Sequence, residues 1–137
     1  MNAQSLEATN VALVESIYAA FGRGDIEFIL SRTDPDIEWI SGGSHDDFPT
    51  LGPRRGVAGT ASFFADVAEH DEFTSFEPRQ MIPMGEMVVA LGHYGITAKK
   101  TGKHFESDWA HVFTIRGGMC VRWQEFTDTA AFYKSIR

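Results

Sequence analysis

Cysteine is nearly absent from this chain: Cys120 stands alone, which excludes an internal disulfide and fits a reducing compartment. Basic residues are scarce too. Twelve Lys and Arg face nineteen Asp and Glu, for a net charge of −7. Arg54-Arg55 is too short a run to make the basic patch that a nucleic acid or an anionic membrane requires. No apolar run approaches the roughly 20 residues of a membrane-spanning helix. The opening Met-Asn-Ala-Gln-Ser has neither the basic start nor the apolar centre of a signal peptide, so the expected location is the cytoplasm. A phosphate-binding glycine loop, a nucleotide fingerprint and a Ser-His-Asp arrangement are all missing. His45-Asp46-Asp47 and His70-Asp71-Glu72 lack a spaced partner and read as solvated charge, so no metal and no cofactor is expected.

What is present is ordinary for one globular domain spanning residues 1–137: 43% hydrophobic and 23% charged residues. Residues 6–21 have helical periodicity in Val14, Ile17, Tyr18 and Phe21, with Gly22 as the stop. Asp25 can cap a short helix carrying Ile26, Ile29 and Leu30. Asp36 to Ser41 alternates as a strand that groups Ile37, Trp39 and Ser41. Residues 42–56, rich in Gly, Pro, Asp and Ser, read as a long loop before a third helix from about Val57 to His70. The period then changes to two. Phe73 to Ile82, Met87 to Ala98, Phe105 to Arg116 and Cys120 to Phe126 read as four strands with short turns. Asp128 is placed to cap a closing helix at Thr129. Helices followed by an antiparallel meander make an α+β domain.

The last hairpin holds the chemistry. Alternation groups Trp109, His111, Phe113 and Ile115 on one face, and Val121, Trp123 and Glu125 on one face of the next strand. A two-residue Gly117-Gly118 turn would oppose Phe113 to Arg122. A three-residue loop, 117–119, opposes Phe113 to Trp123 and His111 to Glu125, keeps the buried face apolar, and is the register expected. Lys100 opposite Lys103 at the preceding turn would set Tyr94 against Trp109 and Gly92 against His111, leaving open space beside the imidazole. An imidazole and a carboxylate then share a wall with Trp39, Tyr94, Trp109 and Trp123, suited to acid/base work on a flat apolar ligand. Tyr18 can reach this space from the first helix. The opposite face, with Val89, Leu91, His93, Ala110, Val112 and Phe126, is apolar enough for a dimer contact.

The element order, with Tyr-Ala-Ala-Phe-Gly-Arg-Gly-Asp at 18–25 and Ile-Glu-Trp at 37–39, resembles the NTF2-like superfamily, which includes ketosteroid isomerases, limonene epoxide hydrolase and SnoaL-type cyclases. The resemblance implies a cone: a curved antiparallel sheet wrapped around three N-terminal helices, with a pocket at its open end and homodimers through the sheet's outer face. It also favours Ile17 over Tyr18 as the pocket residue of the first helix. By resemblance, His111 falls where the isomerases hold an oxyanion-binding acid, and Ser41 where they hold their base. Glu125 matches the epoxide hydrolase's water-activating aspartate, whose Arg and Asp neighbours become Gly92 and Tyr94. In SnoaL-type cyclases a pocket His and a carboxylate fourteen residues later resemble His111 and Glu125.

The expected function is therefore cofactor-independent isomerase, cyclase or hydrolase chemistry on a small hydrophobic, cyclic or otherwise apolar molecule. Glu125 would move the proton and His111 would hold the oxyanion, with Trp39, Ser41, Tyr94, Trp109, Trp123 and Tyr18 binding substrate. The alternative is a ligand-binding or dimerisation module in which Glu125 and His111 form a static pair.

Overall fold

A computed structural model describes residues 2–137. The chain runs α1 (Ala3–Gly22), α2 (Ile26–Ser31), β1 (Thr33–Ser41), β2 (Gly52–Arg55), α3 (Gly56–His70), β3 (Asp71–Met84), β4 (Met87–Ala98), β5 (His104–Arg116), β6 (Met119–Thr127) and α4 (Thr129–Ser135). The strands form one sheet in the order β2-β1-β6-β5-β4-β3. β3 to β6 are the expected antiparallel meander, and β1 adds to it in parallel alongside β6. Asp25 and Asp128 cap α2 and α4 by accepting from the Phe28 and Ala131 amides, as their positions foretold. α1 ends at Gly22, and the left-handed residue after it is Gly24, with φ 74°.

The sheet sorts residues by parity. On β5, Phe105, Ser107, Trp109, His111, Phe113 and Ile115 are buried, while Glu106, Asp108 and Arg116 are exposed. The inner face of β4 continues this wall with Val88, Ala90, Tyr94 and Ile96. α1 closes over β3 and β4, and α3 over β1, so the apolar side of each helix meets the apolar face of the sheet. Three β-bulges within the β3–β6 meander bend the sheet around the helices. Thr74 and Arg79 are extra residues on β3, and Val121 is extra on β6. The Thr74 bulge turns both Phe73 and Phe76 toward the interior, where each packs against Phe21.

The last hairpin corrects the expected turn and keeps the expected pairing. Arg116 opposes Met119, so the turn is the two residues Gly117-Gly118, with φ of 59° and 76°. Positive φ at both centres is what a tight hairpin matching the strand twist demands. Ile115 accordingly meets Cys120, but the Val121 bulge then advances β6 by one residue. Phe113 meets Trp123, and His111 meets Glu125. The alternative that looked unfavourable fails only for an unbroken strand.

Between β4 and β5 the register sits two residues from the expected one. The connection is the four residues 99–102, the Ala98 amide bonds to the Lys103 carbonyl, and Tyr94 opposes Ser107. An even shift preserves parity, so Tyr94 still faces inward. Gly92, however, lies opposite Trp109 and offers no open space. A methyl group there would sit 2.2 Å from the indole Cζ2 and 2.5 Å from the Glu77 carbonyl oxygen. The expected 42–56 loop also contains a strand: Gly52 to Arg55 pairs with Ser41 to Glu38 at the sheet edge, where Pro53 is tolerated. No described helix is long and apolar enough to cross a membrane.

Gly92→Ala should therefore lower stability by about 1–3 kcal/mol in chemical denaturation, because the indole must leave its seat. Gly22→Ala, with nothing within 4 Å of the added carbon, should be neutral or slightly stabilising. Equal effects of the two substitutions would show that Trp109 does not depend on Gly92.

Candidate functional site

The concave face holds a cavity of about 90 Å³, where a single water needs about 10–15 Å³. Its wall is almost wholly apolar. α1 supplies Ile17, Tyr18 and Phe21, α3 supplies Phe63, Phe64 and Val67, and Phe73, Phe76, Ile96, Phe113 and Phe132 come from the sheet and α4. Thr50 and Leu51 arrive from the loop before β2. That loop is clamped by Arg54, which bonds Asp66 and Ser62 of α3 at 2.9 and 2.8 Å as well as the Pro49 carbonyl, and by Tyr133 donating to Asp47 at 2.6 Å.

His111 and Glu125 meet in this wall as expected. His111 Nε2 lies 2.7 Å from Glu125 Oε2, and the imidazole is only 3% exposed. The other ring nitrogen, Nδ1, lies 2.7 Å from the Tyr18 hydroxyl. Burial, then the negative charge of Glu125, pushes the Tyr18 phenol far above its ordinary range, so it keeps its proton. Tyr18 therefore donates to Nδ1, which leaves the hydrogen on Nε2 to be donated to Glu125. One chain of bonds runs from α1 through β5 to β6. Both Ile17 and Tyr18 line the cavity, and of the two Tyr18 brings a polar group to it.

The same network narrows the role of His111. Both of its nitrogens are engaged, Nδ1 by Tyr18 and Nε2 by Glu125. Trp109 stacks on it with ring centres 4.1 Å apart and planes 15° apart, and on Phe76 at 5.2 Å and 17°. Trp109 thus backs the imidazole rather than lining the cavity, because its ring lies over Gly92. Trp39 and Trp123 stack at 4.2 Å and form a flat stretch of wall. Ser41 lines the cavity at the end of β1. Tyr94 lines it as well, its hydroxyl 2.8 Å from Thr127 Oγ1, which is 2.9 Å from Ser107 Oγ.

Asp71, expected to be solvated charge, is a cavity residue. Strand β3 begins at Asp71, two residues before Phe73, so the two share a face; that parity was the available signal. Burial, then the charge of Glu125, pushes its carboxyl up to about 7, with Lys99 opposing. Its place at the C-terminal end of α3, the negative pole of the helix, is unfavourable to a carboxylate as well. His45, Asp46 and Asp47 are exposed. No metal-binding group of three or more His, Cys, Asp or Glu occurs among the described residues.

A carboxyl raised on folding favours the folded state while protonated and loses that contribution as pH rises through its folded value. Asp71 should therefore erode stability between about pH 4 and 7. Asp71→Asn should be the more stable protein at pH 8, and the difference from wild type should shrink toward pH 4, with a slope of at most about 1.4 kcal/mol per pH unit. Thermal melts of both proteins across this range test it, and a constant difference would place Asp71 in water.

The fold has counterparts in known proteins. A SnoaL-like domain model matches residues 14–123. An NTF2-like protein from Burkholderia xenovorans LB400 is 32% identical, with 96% of this chain and 98% of that one covered and a TM-score of 0.86. TerC, in crystals grown with polyporic acid, is 30% identical, with 93% and 98% covered and a TM-score of 0.80. An uncharacterised protein of Mycobacterium tuberculosis is 28% identical over 120 residues, which are 87% of this chain and 89% of that protein. A cone with a polar pair inside an aromatic wall and a domain match across four-fifths of the sequence lead to one conclusion: the chain belongs to the SnoaL-like domain family and has the NTF2-like fold.

Proposed function

We propose that the protein is a cofactor-independent enzyme that acts on a small, uncharged hydrophobic molecule, cyclic or otherwise apolar, by general acid/base catalysis. The reaction class is isomerisation, cyclisation or hydrolysis. One observation carries the reading: a carboxylate, Glu125, projects into an aromatic cavity and is held through His111 by Tyr18. His111 binds only Oε2, and among the described residues Oε1 has no hydrogen-bond partner, so it is available to take a proton. No Lys or Arg lines the cavity, so an anionic ligand would meet only repulsion from Glu125. Trp39 and Trp123 would stack on the ligand, and Tyr94 and Ser41 would bound it.

The outer face of the sheet carries Val89, Leu91, Ala110 and Val112 beside Phe126, which is 52% exposed. This strip supports a homodimer of the cytoplasmic protein, the second copy covering the same apolar residues. Phe126→Glu should then shift the protein to a monomer in sedimentation velocity, and an unchanged sedimentation coefficient would remove this face from consideration.

Removal of a proton next to a carbonyl can be followed without the natural substrate, as exchange of the α-hydrogens of 2-indanone in D2O by NMR. Wild-type protein should accelerate exchange, and Glu125→Gln should lose about 10²-fold or more of that acceleration. Exchange at the wild-type rate in the variant would exclude Glu125 as the base.

A further inference from the structure

A base alone does not complete a proton transfer at carbon: the electron pair released must end on an atom that is itself protonated or strongly hydrogen-bonded. Five titratable side chains line the cavity: Tyr18, Asp71, Tyr94, His111 and Glu125. Tyr18 is committed to His111, and His111 is committed at both nitrogens. Tyr94 is bonded to Thr127. Asp71 remains, and among the described residues its carboxyl makes no hydrogen bond, although it sits in a wall of Val67, Phe73, Tyr94 and Ile96. Asp71 and Glu125 line the same cavity of about 90 Å³, so the two carboxyls face one small space.

The geometry points to Asp71 as the proton donor that completes an acid/base pair with Glu125, directed at the oxygen of a neutral carbonyl substrate. The inference rests on the catalytic reading of Glu125 given above. In the step, the C–H bond next to the carbonyl breaks and its proton passes to Glu125 Oε1. The C–H electron pair becomes the new C=C bond, and the carbonyl π pair moves to oxygen. That oxygen takes the proton of Asp71, whose O–H bond breaks. The products are the enol, protonated Glu125 and ionised Asp71. Return of a proton from Glu125 to carbon and from the enol oxygen to Asp71 restores the enzyme, with either carboxyl exchanging its proton with water between turnovers.

Each carboxyl is suited to its half. Glu125 is anchored through Oε2 by His111 at 2.7 Å, which leaves Oε1 facing the cavity without a partner among the described residues. Asp71 lacks such an anchor and is held up to about 7 by burial and by the charge of Glu125. Other charged or titratable groups around Asp71 are Lys99 after β4, Tyr94 on β4, Tyr18 on α1, His111 on β5, and its chain neighbours His70 and Glu72. Only Lys99 opposes protonation appreciably, and it reaches away to the Ala68 carbonyl at 2.7 Å.

The 2-indanone assay tests the pair. Wild-type exchange should fall as pH rises through about 7. Asp71→Asn should exchange about tenfold or more slowly and lose that fall, while Asp71→Glu should recover part of the rate and keep the fall. Asp71→Asn exchanging at the wild-type rate with the wild-type profile, beside an inactive Glu125→Gln, would overturn the role of Asp71 and leave Glu125 as the base. An active Glu125→Gln, or a wild type without acceleration, would overturn both. A second measurement does not depend on Asp71 variants folding. The 13C-carboxyl titration of Asp71 in wild type should have its midpoint near 7 and move down in Glu125→Gln. A midpoint in the ordinary aspartate range, about 4, would overturn the inference.

Discussion

A buried imidazole must have both ring nitrogens satisfied, since an unpaired polar group costs about 1–3 kcal/mol. In this protein that requirement organises the site. Tyr18 reaches down from α1 and Glu125 across from β6 to meet His111 on β5, so the bonds of one side chain tie the helix layer to the two central strands. The demand propagates outward. Trp109 must lie flat to stack on the imidazole, and only a glycine at position 92 gives its ring a seat. Phe76 packs on the far partner of that stack because the Thr74 bulge turns it inward. A single polar group thus accounts for the placement of a tyrosine, a tryptophan and a glycine far apart in sequence.

The cavity also separates two carboxyls by environment. Both lie within an aromatic wall where the effective dielectric is low, and the charge of Glu125 acts on Asp71. Glu125 has a hydrogen-bond donor fixed by the Tyr18–His111 relay. Asp71 has none. Burial without a donor, together with the charge of Glu125, favours the protonated form of Asp71. This division follows from the fold, because β6 brings Glu125 beside His111 whereas the α3–β3 junction delivers Asp71 alone.

Much of this was legible in the sequence, for reasons specific to each element. The adjacency of His111 and Glu125 followed from keeping Phe113 against Trp123, a constraint that holds whatever the turn length. The mechanism by which the chain achieves it, a tight glycine turn plus a bulge, was not legible, because a bulge leaves no mark in an alternating pattern read strand by strand. Tyr94 was placed on the correct face but against the wrong partner, since a register slip of two preserves parity. β2 was hidden because Gly-Pro-Arg-Arg has no alternation, and an edge strand needs none. Asp71 was hidden among polar neighbours at a helix-to-strand junction. Whether such a residue turns inward depends on where the strand begins, and β3 begins two residues before its first aromatic.

The paired turn and bulge of the last hairpin bear on how relatives of this chain can be compared. Gly117-Gly118 sets β6 one residue off, and Val121 restores it four residues later. A homologue with a three-residue turn and no bulge would present the same imidazole and carboxylate at the same separation in space. An alignment of the two would show a gap at the turn and a compensating gap in the strand, four residues before the carboxylate. Aligned without those gaps, Met119 to Val121 would be matched to residues at other positions of the ladder. Comparison within the family is therefore safest when it is anchored on β5 and on the residues after Trp123, where the count of residues and the count of positions agree.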